Sequence, residues 1–136
     1  MVRSSHTCTY ARQLAHEKVH GFVQPAELGA LYRSARIFAL PSYREAWGLV
    51  VHEAALSGCQ LLLSTTIGSR HDFATQKNAA EFPAGDRSAL AQAILQLASS
   101  DDSALGRAQA ESRVRAATHG PAVFANRVAA IVHKLS

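Results

Sequence analysis

Two glutamates, Glu45 and Glu53, are separated by seven residues in the stretch from Pro41 to Cys59, with Gly48 between them. An apolar run, Ile37-Phe38-Ala39-Leu40, ends just before this stretch, and a helical pattern begins at Leu49. In open parallel sheets, ligands settle just beyond the carboxyl ends of strands. A helix starting here leaves the N–H groups of Gly48, Leu49 and Val50 without intrahelical partners. Such a start is an anion site suited to a phosphate, and Gly48 lets an anion approach the backbone closely. Glu45 in the loop and Glu53 in the helix can face one crevice, where carboxylates suit a sugar hydroxyl and a ribose. Alone this is a weak signal, since a plain loop charge and a helix-surface charge are the default reading of the two glutamates.

Other reactive side chains weigh less. His52 beside Glu53 is one pair, too few ligands for zinc, and reads as structural or as a surface group. His71 and Asp72 lie in a loop that can line the crevice. Cys59, before a buried strand, reads as core rather than reactive thiol. Trp47 fits packing against a sugar face or against the core. Arg44 suits either a phosphate or solvent. His6, His16, His20, His119 and His133 are dispersed and read as surface groups.

The elements that must position these groups alternate between short apolar runs and helical patterns, which implies an α/β layer structure. Thr9 to Lys18 reads as a short helix and Val19 to Val23 as a strand. Pro25 opens a helix through Ala35, with Leu28, Leu31, Tyr32 and Ala35 on one face. Ile37 to Leu40 reads as a strand buried on both faces, and Leu49 to Ser57 as a helix that Gly58 ends in a left-handed cap. Leu61 to Leu63 is a fully buried strand, Ile67 to Asp72 a polar loop, and Ala80 to Phe82 a last short strand. Helices follow: one capped by Asp86 with a stripe of Ala89, Ala93, Ile94 and Leu97, one capped by Asp101 or Asp102, and one opened by Gly120-Pro121 with Phe124, Val128, Ile131 and Leu135 along one side. The fold class is α/β: a partial Rossmann-like parallel sheet of three to four strands with a helical C-terminal part. It is one domain over residues 1–136, divided into an N-terminal helix region (1–18), the sheet and crevice (19–85) and C-terminal helices (86–136).

Composition agrees. The chain has 136 residues, 48% hydrophobic and 18% charged, which excludes a disordered or collagen-like chain. No run reaches the ~20 apolar residues of a membrane span, and the polar Met1 to Tyr10 segment does not read as a secretory signal. Cys8 and Cys59 stand alone, so neither a zinc site nor a disulfide framework is expected, and the compartment reads as cytosolic. The net charge of +4 comes from scattered residues, 11 Arg and 3 Lys, without interleaved aromatics, so nucleic acid is not the expected partner.

The segment from about Val19 to Asp86 closely resembles the C-terminal, donor domain of the group 1 (family four) retaining glycosyltransferases of the GT-B fold. The resemblance rests on Glu45 and Glu53, on Pro41-Ser42 before them and Ser57-Gly58-Cys59 after them. It extends to His20-Gly21-Phe22-Val23, Leu31-Tyr32-Arg33-Ser34-Ala35 and Ile37 to Ser42, all in the family's order and spacing. It implies a nucleotide-sugar site. Glu45 then lies beside the transferred sugar as the catalytic carboxylate. Backbone at Ala46, Trp47, Gly48, Leu49 and Val50 meets sugar and diphosphate, Glu53 holds the ribose, and Gly21 and Phe22 lie near the base. No metal or other cofactor is implied, because helix dipole and basic groups carry the phosphate charge. Gly68 to Asp72 departs from the family's Gly-Gly-x-Pro-Glu, with His71 for proline and Asp72 for glutamate.

The resemblance also implies that this is half of a GT-B C-terminal domain. The acceptor-side domain has no counterpart in these residues, nor do the first two donor-domain strands with their phosphate-clamping Arg and Lys. The expectation is a donor-domain fragment, inactive when isolated. It would be related to enzymes that move a hexose-type sugar from a nucleotide diphosphate sugar to a glycan or lipid-linked acceptor in polysaccharide or lipopolysaccharide synthesis, in the cytoplasm or at the inner face of the membrane. The other reading is a non-catalytic binding or self-association module with a degenerate nucleotide pocket. Expected partners are a weakly held nucleotide sugar and either a second copy or a missing N-terminal domain on another chain. Without its family neighbours, Val19 to Val23 is expected to pair with Ile37 to Leu40 or with another copy. The Phe124 stripe is expected to cover the bare sheet face, within one chain or across a dimer.

Overall fold

The computed structural model describes residues 18–135, so the helix expected over Thr9 to Lys18 lies almost wholly outside the described residues. The order is α1 (Pro25–Ser34), β1 (Ile37–Leu40), α2 (Leu49–Ser57), β2 (Gln60–Ser64), α3 (Arg70–Phe73), β3 (Ala79–Phe82), α4 (Arg87–Ala98), α5 (Asp102–Ala117) and α6 (Pro121–Leu135). Three strands pair in parallel in the order β1-β2-β3, with Phe38 opposite Leu61 and Leu62 opposite Ala80. All carboxyl ends therefore lie on one edge of the sheet, and the loops after Leu40, Ser64 and Phe82 leave from there.

The central strand is buried along its whole length. Leu61 and Leu63 face a core with Val51, Ala54 and Ala55 of α2, Phe73 of α3 and Ala116 of α5, against which Tyr32 of α1 packs. Leu62 faces Ala80, Phe82, Ala93 and Leu97 beneath α4. Burying each leucine contributes about 1.5–3 kcal/mol. Asp86 caps α4 by accepting from the Ala89 N–H at 2.9 Å, and Asp101 caps α5 through the Ala104 N–H at 2.7 Å. Gly58 ends α2 at φ +89°, with the Arg113 side chain lying where a Cβ would sit.

Five expectations are corrected. Val19 to Val23 forms no strand and pairs with nothing in the sheet. Gly21 takes a left-handed φ of +60°, which breaks an extended run, and Pro25 already begins α1. With no strand on its outer side among the described residues, β1 is an edge strand, half-buried rather than buried on both faces, and Ala39 is exposed. The opposite sheet face is covered by α4 over β2 and β3, not by α6. Ile94 points to solvent, because the α4 face is spent on Ala93 and Leu97. Finally, Ile67 to Asp72 is not simply a polar loop: Ile67 and Ser69 are buried, and α3 makes a helical turn from Arg70.

Candidate functional site

The loop from Pro41 to Gly48 is held where the strands end. The Ser42 carbonyl accepts hydrogen bonds from the Ser64 hydroxyl at 2.6 Å and the Thr66 hydroxyl at 2.8 Å. Further on, Glu45 bridges Ile67 in parallel. The Gly68 N–H donates to the Glu45 carbonyl and the Ser69 N–H to the Trp47 carbonyl, each at 3.0 Å. The Ser69 hydroxyl reaches the Gly48 carbonyl at 3.4 Å. Residues 45–48 and 67–69 thus pair as a small ladder beyond the carboxyl ends of β1 and β2, although the sequence there has no strand pattern.

Gly48 precedes α2 at φ +86°, and no side chain caps the helix. A Cβ at this position meets Glu45 Cγ at 3.2 Å and the Ile67 and Val51 side chains at 3.4 Å, so conformation and space both favour glycine. No acidic residue occupies the first turn of α2, which leaves the positive end of its dipole unneutralised. Leu49 and Val50 are exposed around that start. Trp47 is 47% exposed, its inner edge packed against Phe73 with ring centroids 6.3 Å apart.

The two glutamates part company. Glu45 is half-buried, and its Oε1 accepts from its own loop, from the Trp47 N–H at 3.3 Å. Glu53 lines a groove of about 270 Å³ between α1 and α2, with Pro25, Leu28, Gly29, Tyr32, Leu56 and Ser57. Glu45 is not among the lining residues. Across the groove, burial raises the Tyr32 hydroxyl above its ordinary pKa, and the charge of Glu53 and a hydrogen bond to it add to the rise. Tyr32 and Glu53 thus line the same groove and interact across it. Gly21 and Phe22 precede α1 as exposed backbone and side chain, Phe22 being 85% exposed, and neither lines the groove.

Of the remaining candidates, His52, His119 and Cys59 pack within the protein. His52 Nε2 lies 3.0 Å from the Ala116 carbonyl, and its ring stacks on Phe73 at 5.0 Å. His119, expected at the surface, packs its edge on the same phenylalanine and lies 3.4 Å from Asp72. His71 and Arg44 are exposed. Cys59 is fully buried and donates to the Tyr32 carbonyl at 3.2 Å. Among the described residues no three His, Cys, Asp or Glu side chains converge. Tyr32, which the sequence places on one face of α1 with Leu28, Leu31 and Ala35, lies across the groove from Glu53, and its spacing to Glu53 across two helices carries no local signal. Ser64 and Ser69 were missed, since single serines after strands are common.

A three-stranded parallel sheet with helices on both faces is a partial Rossmann-like architecture, of the kind found in the domains of GT-B proteins. The chain belongs to that class by sequence as well: it is a member of the family described as Glycosyl transferases group 1, which matches residues 4–100. It is 43% identical over 61 residues to the D-inositol 3-phosphate glycosyltransferase of Corynebacterium aurimucosum, an alignment covering 43% of this chain and 14% of that protein. It is 33% identical over 85 residues to the protein of the same name in Corynebacterium urealyticum, covering 62% of this chain and 20% of that one. Among solved structures it resembles the sucrose-phosphate synthase of Thermosynechococcus elongatus, a GT-B glycosyltransferase, with a TM-score of 0.75 and 25% identity over 85% of this chain and 29% of that chain. The chain thus spans a fifth or less of the curated relatives' length and under a third of the solved structure's.

Proposed function

We propose that these residues form the donor side of a retaining glycosyltransferase, binding a nucleoside diphosphate sugar for transfer of its hexose to a glycan or lipid-linked acceptor. The observation that carries this reading is the uncapped, acid-free start of α2 at Gly48, with Glu53 one and a half turns along the same helix. The diphosphate meets the N–H groups and dipole of α2, the ribose hydroxyls meet Glu53 oriented by Tyr32, and Glu45 with its loop backbone lies toward the sugar. Gly21 and Phe22 supply backbone and ring toward the base. A nucleotide-sugar donor suits a cytoplasmic protein of polysaccharide or lipopolysaccharide assembly. A second reading, a self-associating module with a degenerate pocket, is favoured by one observation: among the described residues the outer edge of β1 is unpaired.

Titrating a panel of nucleoside diphosphates into the labelled 136-residue polypeptide tests the site. Amide shifts are expected to centre on residues 45–53, with dissociation constants on the order of millimolar, about −4 kcal/mol, and weaker binding in Glu53→Ala. Shifts centred elsewhere, or an affinity that Glu53→Ala leaves unchanged, overturn the reading. The polypeptide alone is expected to give no transfer, because turnover needs donor and acceptor held together in near-attack geometry.

A further inference from the structure

Helix α6 is amphipathic, yet its apolar side is exposed and faces away from the other described elements. Phe124 is 71% exposed, Val128 43% and Ile131 58%. Spaced four and three residues apart, they form one stripe. Val123, about 100° round the helix from Phe124, is half-buried. Among the described residues, α6 makes no more than marginal contact with any other element. Its 15 residues extend about 22 Å. Among the described residues no helix is long and apolar enough to cross a membrane.

Charge selects the occupant of this stripe. From Ser112 to Ser136 the sequence contains no Asp or Glu, while Arg113, Arg115, Arg127 and Lys134 together equal the chain's whole formal net charge of +4. On the helix, Arg127 and Lys134 fall on one flank of the apolar stripe, and His133 falls on the face opposite it. A second copy packed through this stripe brings cations toward cations, with no carboxylate on either helix to pair them. An anionic surface meets the same pattern with complementary charge, and long Arg and Lys stems let their heads reach a lipid headgroup while the apolar stripe is immersed. We infer that α6 is an interfacial helix that lays Phe124, Val128 and Ile131 into an anionic lipid bilayer, with Arg127 and Lys134 at the headgroups.

Co-sedimentation of the 136-residue polypeptide with vesicles tests this, using phosphatidylcholine with and without phosphatidylglycerol. Binding is expected to the vesicles containing phosphatidylglycerol, and to weaken as salt is raised. The double variant Phe124→Glu/Ile131→Glu is expected to weaken it at least tenfold. The double variant Arg127→Gln/Lys134→Gln is expected to weaken it by about fivefold per cation removed. None of these side chains belongs to the core, so the far-UV dichroism and melting of both variants are expected to match the parent. Equal binding to both vesicle types, no binding to either, or binding that survives both double variants overturns the inference. So does a dimer of the parent that Phe124→Glu/Ile131→Glu dissociates without any vesicle binding, which assigns the stripe to a second copy.

Discussion

Gly68 lies so close to the carbonyl oxygen of Ala46 that no side-chain carbon fits between them. The obstacle is backbone, and it belongs to the loop between Glu45 and Gly48. Gly68→Ala must therefore push the two loops apart and strain the bonds from Gly68 to Glu45 and from Ser69 to Trp47. A cost of about 1–3 kcal/mol is expected, read as a lower urea midpoint with an unchanged slope. Amide shifts should concentrate at residues 45–48. A variant as stable as the parent would show that the ladder does not hold the loop.

A second fixed point lies beneath the site. Asn78 is fully buried and donates to the Phe73 carbonyl at 3.0 Å and the Ser112 hydroxyl at 2.9 Å. Its own Oδ1 accepts from the Thr75 N–H at 2.7 Å. The Ser112 hydroxyl donates in turn to the Cys59 carbonyl at 2.7 Å. This chain ties α3, α5 and the start of β2 together. Ser112→Ala is expected to cost about 1–2 kcal/mol and Asn78→Ala about 2–3 kcal/mol. Because they share one network, the double variant should cost less than the sum, and strict additivity in urea unfolding would contradict the coupling.

What the sequence conveyed follows from how local each signal is. The three-leucine run, Asp86 three residues before Ala89, and Gly58 after an apolar helix are all decided by neighbours in the chain, and each appears where expected. Val19 to Val23 has strand composition, but a strand exists only with a partner, and none is present for it among the described residues. The stripe on α6 has helix periodicity, but periodicity does not say which way the helix is turned. At the candidate site, the helix start after Gly48 follows from local pattern, whereas the groove that Glu53 lines is built by a second helix. The Tyr32–Glu53 pair and the Gly68 approach arise between segments far apart in sequence. That Glu45 turns its carboxylate back onto its own loop, to the Trp47 N–H, is revealed by no residue count.

Tyr32 is expected to act on nucleotide binding through Glu53. The two side chains line one groove, where a phenol donating to the carboxylate would orient it before any ligand arrives. Tyr32→Phe keeps the ring and its packing on Phe38 and removes only the hydroxyl. If nucleoside diphosphates bind at Glu53, affinity should fall by about two- to tenfold from lost preorganisation, and by more in Glu53→Ala. The two substitutions should be non-additive in the same NMR titration. An affinity that rises in Tyr32→Phe would mean that the phenol competes with the ligand for the carboxylate.

Alkali should loosen the core beneath this groove. Burial raises the Cys59 thiol above its ordinary value of 9.0, with Arg113 opposing part of the rise. The folded chain therefore holds this proton more tightly than the unfolded chain does. The corresponding stability is fully present below pH 9.0 and is lost as the pH climbs from there through the folded value. Tyr32, raised from 10.0, adds a loss of the same sign at higher pH. Urea midpoints measured from pH 7 to 10.5 should hold level and then fall above about pH 9. In Cys59→Ala the starting midpoint is lower, because a buried sulfur and its bond to the Tyr32 carbonyl are gone, but the first part of the alkaline fall should flatten. An equally steep fall between pH 9 and 10 in that variant would remove Cys59 as its source.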